Sequence, residues 1–222
     1  QYNREVLMLN GDIAYLIGEG FTEKGQFPFV DQMNLKTKAK KTLYRSTYTD
    51  KIESITEILD LKKGELLVNI QAPTQYPNYY IRKITGKANP IQITNNKNPF
   101  EKLSGISKEV ITYKREDGLE LSATLYLPAG YDKAKKEKLP MIMWAYPQEF
   151  KDKSSAGQNT TNPNEFIYPN YGSPIYWVMK GYAILDDAAF PIVGEGTEEP
   201  NDTFIEQLVS NAKAAIDAVD KL

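Results

Sequence analysis

The chain has 222 residues and a nearly balanced charge, with 27 Lys and Arg against 29 Asp and Glu. Because this balance produces no net electrostatic field, we expect neither nucleic acid nor an anionic membrane as a partner. The longest apolar runs fall far short of the roughly 20 residues that a membrane-spanning helix needs. The chain contains no Cys and no His, which excludes disulfides, thiolate nucleophiles and any Ser-His-Asp or Cys-His centre built from this chain alone.

Short candidate strands separated by turn residues fill the chain up to about residue 98. These strands share apolar residues at strand period and span residues 13–18, 28–35, 43–46, 54–59, 65–71, 78–84 and 90–94. The turns Asn10-Gly11 and Lys63-Gly64 suit the positive φ angles of tight connections. Two units of the pattern resemble each other at a spacing of about 50 residues, as blades of a β-propeller do. Two unrelated hairpins of a β-sandwich are the alternative.

The pattern changes near residue 104. A hairpin with its turn at Glu116-Asp117-Gly118 joins residues 109–113 to residues 119–127. The second of these strands places alternating apolar residues on one face. Residues 139–146 (LPMIMWAY) then form a continuous apolar run, which is typical of a strand buried on both faces. A buried central strand implies further layers above and below the sheet.

The end of the chain is predicted to alternate helices and strands. Residues 173–180 read as a helix that begins at Ser-Pro and is ended by Gly181, and residues 182–187 read as a second buried strand. A last helix follows, with a possible capping box at Thr203-x-x-Glu206. Its apolar positions recur at helical spacing and are Ile205, Leu208, Val209, Ala212, Ala215, Ile216 and Val219. This order predicts a parallel α/β unit, with strand 182–187 at the open edge of its sheet.

Three ordered segments resemble a known family. They are residues 114–128 (KREDGLELSATLYLP), 139–150 (LPMIMWAYPQEF) and 192–208 (IVGEGTEEPNDTFIEQL). Together they resemble the prolyl oligopeptidase family of serine peptidases, and within it most closely the glutamyl endopeptidase branch. The resemblance implies a mixed fold: all-β blades from the C-terminal part of a β-propeller over residues 1–103, then the N-terminal part of an α/β-hydrolase domain over residues 104–222.

The resemblance also implies a function. It makes the chain a fragment of a serine endopeptidase that hydrolyses peptides after acidic residues, without a cofactor. The Ser-His-Asp triad would lie outside this chain, in a missing C-terminal half of the hydrolase domain, so the chain alone should be inactive. A noncatalytic β-propeller binding module and an acyl or ester hydrolase on the same fold are the alternatives. The compartment stays open, with a slight preference for a periplasmic or secreted parent protein.

Tyr146 is the candidate catalytic residue. It lies in the segment 144–150, which follows the first buried strand at the carboxyl end, where open α/β sheets place their sites. In the family, a tyrosine just after an early hydrolase strand donates its hydroxyl to the tetrahedral oxyanion, and Tyr146 is the matching position. A phenol is a rigid donor that can be aimed at a developing charge. The alternative is that Tyr146 only packs against Trp144 and Pro147.

The loop at residues 194–199 (GEGTEE) is the second candidate site. It lacks the Gly-Lys-Ser/Thr ending of a phosphate loop, and its three acids would repel phosphate. It also lacks the alternating acids of an EF-hand, so we predict no metal site there with Asp202. Acidic residues before a helix are already explained by the helix dipole. In the family this loop lines the cleft beneath the propeller, which makes Glu195 and Glu198 candidate substrate-binding residues.

Two further sets of charged residues remain open. Asp186 and Asp187 are predicted to end a buried strand, where helix capping or hydrogen bonds to loop amides are favoured over a paired-carboxylate glycosidase site. Cleavage after acidic residues needs a cationic pocket. Arg45, Arg82 and Arg115 are available for it, and no motif selects one of them.

Overall fold

The computed structural model describes residues 9–222, so the first eight residues of the predicted propeller segment lie outside the described residues. The chain divides into two compact units. The first ends at Pro99 and also includes Asn164–Phe166, whereas the second contains Phe100–Pro163 and Ile167–Leu222. The contacts thus divide the chain slightly before residue 104, where the sequence pattern changes.

Two four-stranded antiparallel sheets form the first unit. The first sheet has the order β1-β2-β5-β6 and contains β1 (Leu9–Asn10), β2 (Ile13–Gly18), β5 (Phe29–Asn34) and β6 (Lys40–Arg45). The short strands β3 (Phe21–Thr22) and β4 (Gly25–Gln26) pair with each other between β2 and β5. The second sheet has the order β10-β9-β8-β7 and contains β7 (Ile52–Asp60), β8 (Glu65–Ala72), β9 (Gln75–Lys83) and β10 (Ile91–Gln92). Each sheet is a meander, as the blade prediction requires.

The turns and the core of this unit follow from the sequence pattern. Gly11 and Gly64 each have a φ of +61°, which confirms the two predicted tight turns. The alternating residues of β8 and of its neighbours bury one shared apolar cluster, made of Val30, Tyr44, Ile55, Ile58, Leu66, Val68 and Ile70. Because Val30 and Tyr44 come from the first sheet and the others from the second, this cluster joins the two sheets into one core.

A buried polar network lies beside this core. Glu53 is 1% exposed and Arg82 is 6% exposed. The Arg82 Nε donates a hydrogen bond to Glu53 Oε1 at 2.7 Å, and its Nη2 donates to the Tyr48 hydroxyl at 2.9 Å. The Tyr44 hydroxyl donates to the other Glu53 oxygen. Burial and the adjacent Glu53 carboxylate raise the pKa of Tyr44, so its hydroxyl keeps its proton.

The second unit is built on a four-stranded mixed sheet with the order β11-β12-β14-β13. Its strands are β11 (Ser107–Lys114), β12 (Glu120–Leu127), β13 (Met141–Phe150) and β14 (Ala183–Val193). The strands β13 and β14 pair in parallel, which confirms the predicted α/β unit.

The edge strand of this sheet differs from the prediction. The predicted strand 182–187 lies within β14, between β12 and β13, so its placement at the open edge is wrong. The hairpin strand β12 pairs through residues 124–126 with the first part of β14. It therefore covers the edge of β14 that was predicted to have no partner strand. Among the described residues the two edge strands of this sheet are therefore β11 and β13, and β13 is the edge strand of the parallel pair.

The helices of the second unit begin and end near their predicted positions. The predicted helix at 173–180 is a 3-10 helix, Pro174–Lys180, capped by Ser173 and ended by Gly181 at a φ of +85°. A four-residue helix, α1 (Lys153–Ala156), follows β13, and the long helix α2 (Phe204–Asp220) ends the chain. Single 3-10 turns also lie at Glu101–Leu103, Lys133–Lys135 and Pro200–Thr203.

The N-terminal cap of α2 differs from the predicted Thr203-x-x-Glu206 box. The observed capping box is formed by Glu199 and Asp202, around the 3-10 turn that runs into the helix. Pro200 sets a helical φ and cannot donate an N–H, so helical geometry starts one turn earlier than the apolar pattern indicates. The Thr203 hydroxyl instead accepts a hydrogen bond from Gln207 at 2.9 Å.

Apolar layers cover the two faces of the mixed sheet. Helix α2 packs on one face, over a cluster of buried residues from β11, β12, β14 and the helix, among them Ile111, Leu125, Leu185, Phe190 and Ala215. The 3-10 helix packs on the other face, through Ile175 and Val178 against Tyr126 and Ile184. The predicted apolar stripe of α2 is only partly buried, because Ile205, Val209 and Ile216 are exposed. In residues 9–222, no helix combines the length and the apolar character needed to cross a membrane.

Candidate active site

Tyr146 lies within β13 and not after its end. The predicted strand stops at residue 146, whereas β13 continues to Phe150 because residues 145–150 pair in parallel with residues 188–193. The predicted placement of Tyr146 behind a finished strand is therefore wrong. The sequence pattern missed this extension because Pro147, Gln148 and Glu149 are poor strand formers in isolation.

Tyr146 is one of the most exposed aromatic residues of the second unit. It pairs in register with Ala189, and the neighbouring residues Ala188 and Phe190 face helix α2. Since side chains alternate along a strand, Tyr146 lies on the opposite face from α2. Its side chain is 79% exposed and that of Trp144 is 59% exposed. Within this unit, packing against neighbours therefore explains little of the position of Tyr146.

The candidate residues Glu195 and Glu198 lie in the loop that connects β14 to α2. Both are exposed, and the Glu198 amide donates to the Glu195 carbonyl at 3.1 Å in a tight turn. Gly194 is required there, because a Cβ at this position would lie 2.5 Å from the Glu198 carbonyl oxygen. The third acid, Glu199, differs from the other two because it caps the helix and forms an ion pair with Lys151.

The structure does not bring Tyr146 together with this loop. The register partner of Tyr146 is Ala189, and β14 continues for four more residues to Val193 before the loop begins. At a rise of about 3.3 Å per residue, this separates the two candidates by about 13 Å along the strand. A ligand that contacts both would have to be extended, as a peptide is.

Asp186 and Asp187 do not end a strand but form a bulge inside β14. Between the pairs Met143–Leu185 and Ala145–Ala188, β14 contains one residue more than β13. Asp187 adopts a φ of +49°, in the left-handed region, and this conformation accommodates the additional residue. Asp186 is half-buried, and this burial together with the adjacent Asp187 raises the pKa of its carboxyl group.

Replacing Asp186 by Asn should stabilise the second unit at neutral pH, by roughly a few tenths to 1 kcal/mol. Folding raises the pKa of this carboxyl group above its value of about 3.9 in the unfolded chain. The protonated group therefore contributes fully to the free energy of unfolding below that value, and this contribution is lost as the pH rises through the pKa of the folded state. The advantage of the Asn variant should therefore disappear in acid. Urea unfolding at pH 7 and pH 3.5 checks this, and an equal difference at both pH values would contradict it.

Arg115 is at the centre of a second buried network, which joins the β11–β12 hairpin to β14 and α2. Arg115 is 5% exposed and Asn211 is fully buried. The guanidinium contacts both oxygens of Asp117 at 2.9 Å and donates to Asn211 Oδ1 at 2.9 Å and to the Pro191 carbonyl at 3.2 Å. The hydrogen bonds from Arg115 hold the pKa of Asp117 well below its usual range.

The three arginines considered for a cationic pocket differ in their described partners. Arg82 is neutralised by the buried Glu53, and Arg115 by Asp117. Arg45 is exposed; its guanidinium lies 4.6 Å from the centre of the Phe29 ring, and its Nη1 donates to the Phe27 carbonyl at 3.3 Å. Of the three, only Arg45 has no ion pair with a carboxylate among the described contacts.

Sequence reasoning missed the residues that hold the end of β14. Gln207 and Asn211 are two amide residues one helical turn apart on α2. The sequence analysis predicted this helix from the spacing of its apolar residues and did not consider its amides. An amide at an inward-facing helical position is the available signal, because a buried amide requires partners. In residues 9–222, no group of three or more His, Cys, Asp or Glu side chains is arranged to hold a metal ion.

Comparison with known proteins gives clear relatives. The chain matches no family model. It is 39% identical over 212 residues to a probable chloroplastic glutamyl endopeptidase of Oryza sativa subsp. japonica, which covers 92% of this chain and 22% of that protein. It is 38% identical over 222 residues to the Arabidopsis thaliana protein of the same name, which covers 94% of this chain and 22% of that protein. The chain thus spans about a fifth of the length of these relatives.

Solved structures with low sequence identity share the fold. Oligopeptidase B from Leishmania major matches with a TM-score of 0.55 at 8% identity, over 96% of this chain and 29% of that one. A post-proline cleaving enzyme from Rickettsia typhi matches with a TM-score of 0.52 at 16% identity, over 98% of this chain and 29% of that one. These likenesses confirm the predicted fold class, with part of a β-propeller followed by part of an α/β-hydrolase domain.

Proposed function

We propose that the full-length protein is an endopeptidase that cleaves after acidic residues. The chain belongs to the prolyl oligopeptidase family of serine peptidases. The observation that carries this proposal is the 39% identity, over 92% of the chain, to a protein named as a glutamyl endopeptidase. Since the chain spans 22% of that protein, the activity is assigned to the whole protein and not to this segment. The nucleophilic serine, the aspartate and the histidine of the triad are assigned to the remainder.

In this proposal Tyr146 stabilises the tetrahedral intermediate. When the serine attacks the peptide carbonyl, the carbonyl oxygen gains negative charge, and a hydroxyl donor already in position lowers the energy of that state. The exposure of Tyr146 and its position on the face away from α2 support this role, because the phenol is free to meet a substrate. The ring is also attached to a strand, and a strand is more rigid than a loop.

Glu195 and Glu198 are proposed to contact the substrate away from the bond that is cleaved. Their carboxylates are exposed, and no ion pair is described for either, so they can attract an amino group or a basic side chain of a peptide. They would repel the acidic side chain next to the cleaved bond. Recognition of that side chain needs a cation.

The full-length protein should hydrolyse peptides with Glu at the cleaved bond and react with a fluorophosphonate probe. The 222-residue chain alone should do neither, because it has no histidine to act as the general base for a serine. Mass spectrometry of cleaved peptides and gel analysis of probe labelling check both parts. Peptides with Gln in place of Glu are the matched control for the acidic preference.

The alternatives give different results in the same assay. A noncatalytic propeller module would bind peptides without cleaving them, and the full-length protein would not react with the probe. An acyl or ester hydrolase on the same fold would react with the probe but would cleave esters in preference to peptides. Turnover by the purified 222-residue chain would contradict the assignment of the triad to the remainder of the protein.

A further inference from the structure

Two amide side chains on α2 hold the carboxyl end of β14. The Gln207 Oε1 accepts from the Val193 amide at 2.9 Å, and its Nε2 donates to the Val193 carbonyl at 2.9 Å. One turn later, the Asn211 Nδ2 donates to the Pro191 carbonyl at 2.9 Å, and this carbonyl also accepts from Arg115. We call Gln207 and Asn211, together with Arg115, the amide clamp.

The clamp acts on the part of β14 that extends beyond β12. The described pairs of β14 with β12 end at Asp186, whereas its pairs with β13 continue to Val193. Because the Gly194 amide donates to the Phe150 carbonyl, Pro191 and Val193 present their backbone groups to the other edge of β14, away from β13. On that edge the clamp supplies the hydrogen-bond partners that a neighbouring strand supplies in a regular sheet.

The residues that the clamp holds are the register partners of the strand that carries Tyr146. Pro191 pairs with Gln148, and Val193 pairs with Phe150, two and four residues beyond Tyr146. The Gly194 amide also donates to the Phe150 carbonyl at 2.9 Å, which ties the ends of the two strands together. The clamp thus fixes β14 to α2, and the strand pairs transfer this constraint to β13.

We propose that the amide clamp is a positioning device for Tyr146. The clamp holds the end of β14 on the edge where its described pairing with β12 has ended, and so sets the direction of the phenol. This inference rests on the proposed function, because it presupposes that the Tyr146 hydroxyl stabilises the oxyanion. A displacement of about 1 Å at such a donor can cost up to about 10²-fold in rate. A clamp variant should therefore lose turnover and keep substrate binding.

A double-mutant cycle in the full-length protein tests the proposal. Gln207→Met keeps the length of the side chain and removes both hydrogen bonds to Val193, and it should lower kcat about tenfold with KM changed by less than about twofold. In a Tyr146→Phe background, the same substitution should lower kcat by less than about twofold, because the hydroxyl that it positions is already absent. Lys213→Met is the control, since Lys213 lies on the same helix and its described ion pair is with Asp217; it should leave kcat unchanged.

A milder variant guards against a folding defect. Gln207→Glu keeps the length of the side chain and the acceptor for the Val193 amide, and it loses the donor to the Val193 carbonyl at a position that is only half-buried. It should lower kcat severalfold, again only when Tyr146 is present, while the thermal midpoint stays close to that of the parent protein.

The outcomes separate this proposal from the proposed function. Equal losses of kcat with and without the Tyr146 hydroxyl, or a lowered thermal midpoint with unchanged kcat per folded molecule, would show a structural clamp and overturn the positioning role. If Tyr146→Phe alone kept full kcat, the oxyanion role itself would fail, and the positioning role with it.

Discussion

In the full-length protein, replacing Tyr146 by Phe should lower kcat by about 10² to 10³, with little change in KM. This is the loss typical of one oxyanion donor. The substitution removes a single oxygen atom and keeps the ring, and the ring is 79% exposed in this unit. A folding defect is therefore not expected, and the thermal midpoint should stay within the error of the measurement.

Tyr171→Phe is a matched control for this experiment. Tyr171 is a fully exposed tyrosine of the same unit, outside the helices and strands, and the same oxygen is removed. It should leave kcat and KM unchanged. Tyr146 would lose its catalytic assignment if the two Phe variants had equal kcat, or if Tyr146→Ala lost activity only in proportion to a lost fraction of folded protein.

The fold could be predicted from the sequence because its signals are local. The meander of the first unit is marked by glycines that need a positive φ, such as Gly11 and Gly64, and by strands that alternate at period two. The parallel pair of the second unit is marked by two apolar runs separated by a helix. Turn chemistry and periodicity are properties of neighbouring residues, so they can be read without knowledge of the partner strand.

The order of the strands was not predictable in the same way. The sequence pattern shows that residues 182–187 are buried on both faces, but not which strands lie on either side. Pairing depends on the long-range contact between β12 and β14, which no local pattern encodes. The extension of β13 to Phe150 and of β14 to Val193 has the same origin, because each strand continues only where the other supplies its hydrogen bonds.

The candidate site was predictable only in part. A family pattern selected Tyr146, Glu195 and Glu198. The structure adds that the register partner of Tyr146 on β14, Ala189, lies four residues before the end of that strand, so Tyr146 is separated from the loop. The clamp residues Gln207 and Asn211 were missed. An amide at an inward-facing helical position indicates a buried partner, but the sequence does not show that this partner is the backbone of β14. For the same reason, Arg82 and Arg115 looked available for a substrate until their buried carboxylate partners were located.

The buried pair of Arg82 and Glu53 should have the largest effect on the stability of the first unit. Arg82→Met leaves the Glu53 carboxylate buried with Tyr44 as its remaining described partner, and an uncompensated buried charge costs about 3–5 kcal/mol. Glu53 joins Tyr44, at the end of β6, to Arg82, on β9, so the loss should loosen both sheets of the unit. Hydrogen exchange of residues 40–45 in the first sheet and of residues 52–60 and 75–83 in the second, together with urea unfolding followed by circular dichroism, measures the change.

Two controls separate a buried charge from a lost contact. Lys36→Met breaks the exposed pair with Asp12 in the same unit and should cost at most about 1 kcal/mol. The double variant Glu53→Gln with Arg82→Met removes both charges and should recover much of the stability that Arg82→Met loses, since the cost arises from an unpaired charge and not from the absent ion pair. If Arg82→Met cost no more than Lys36→Met, or if the double variant were no more stable than the single one, the network would not hold the two sheets together in this way.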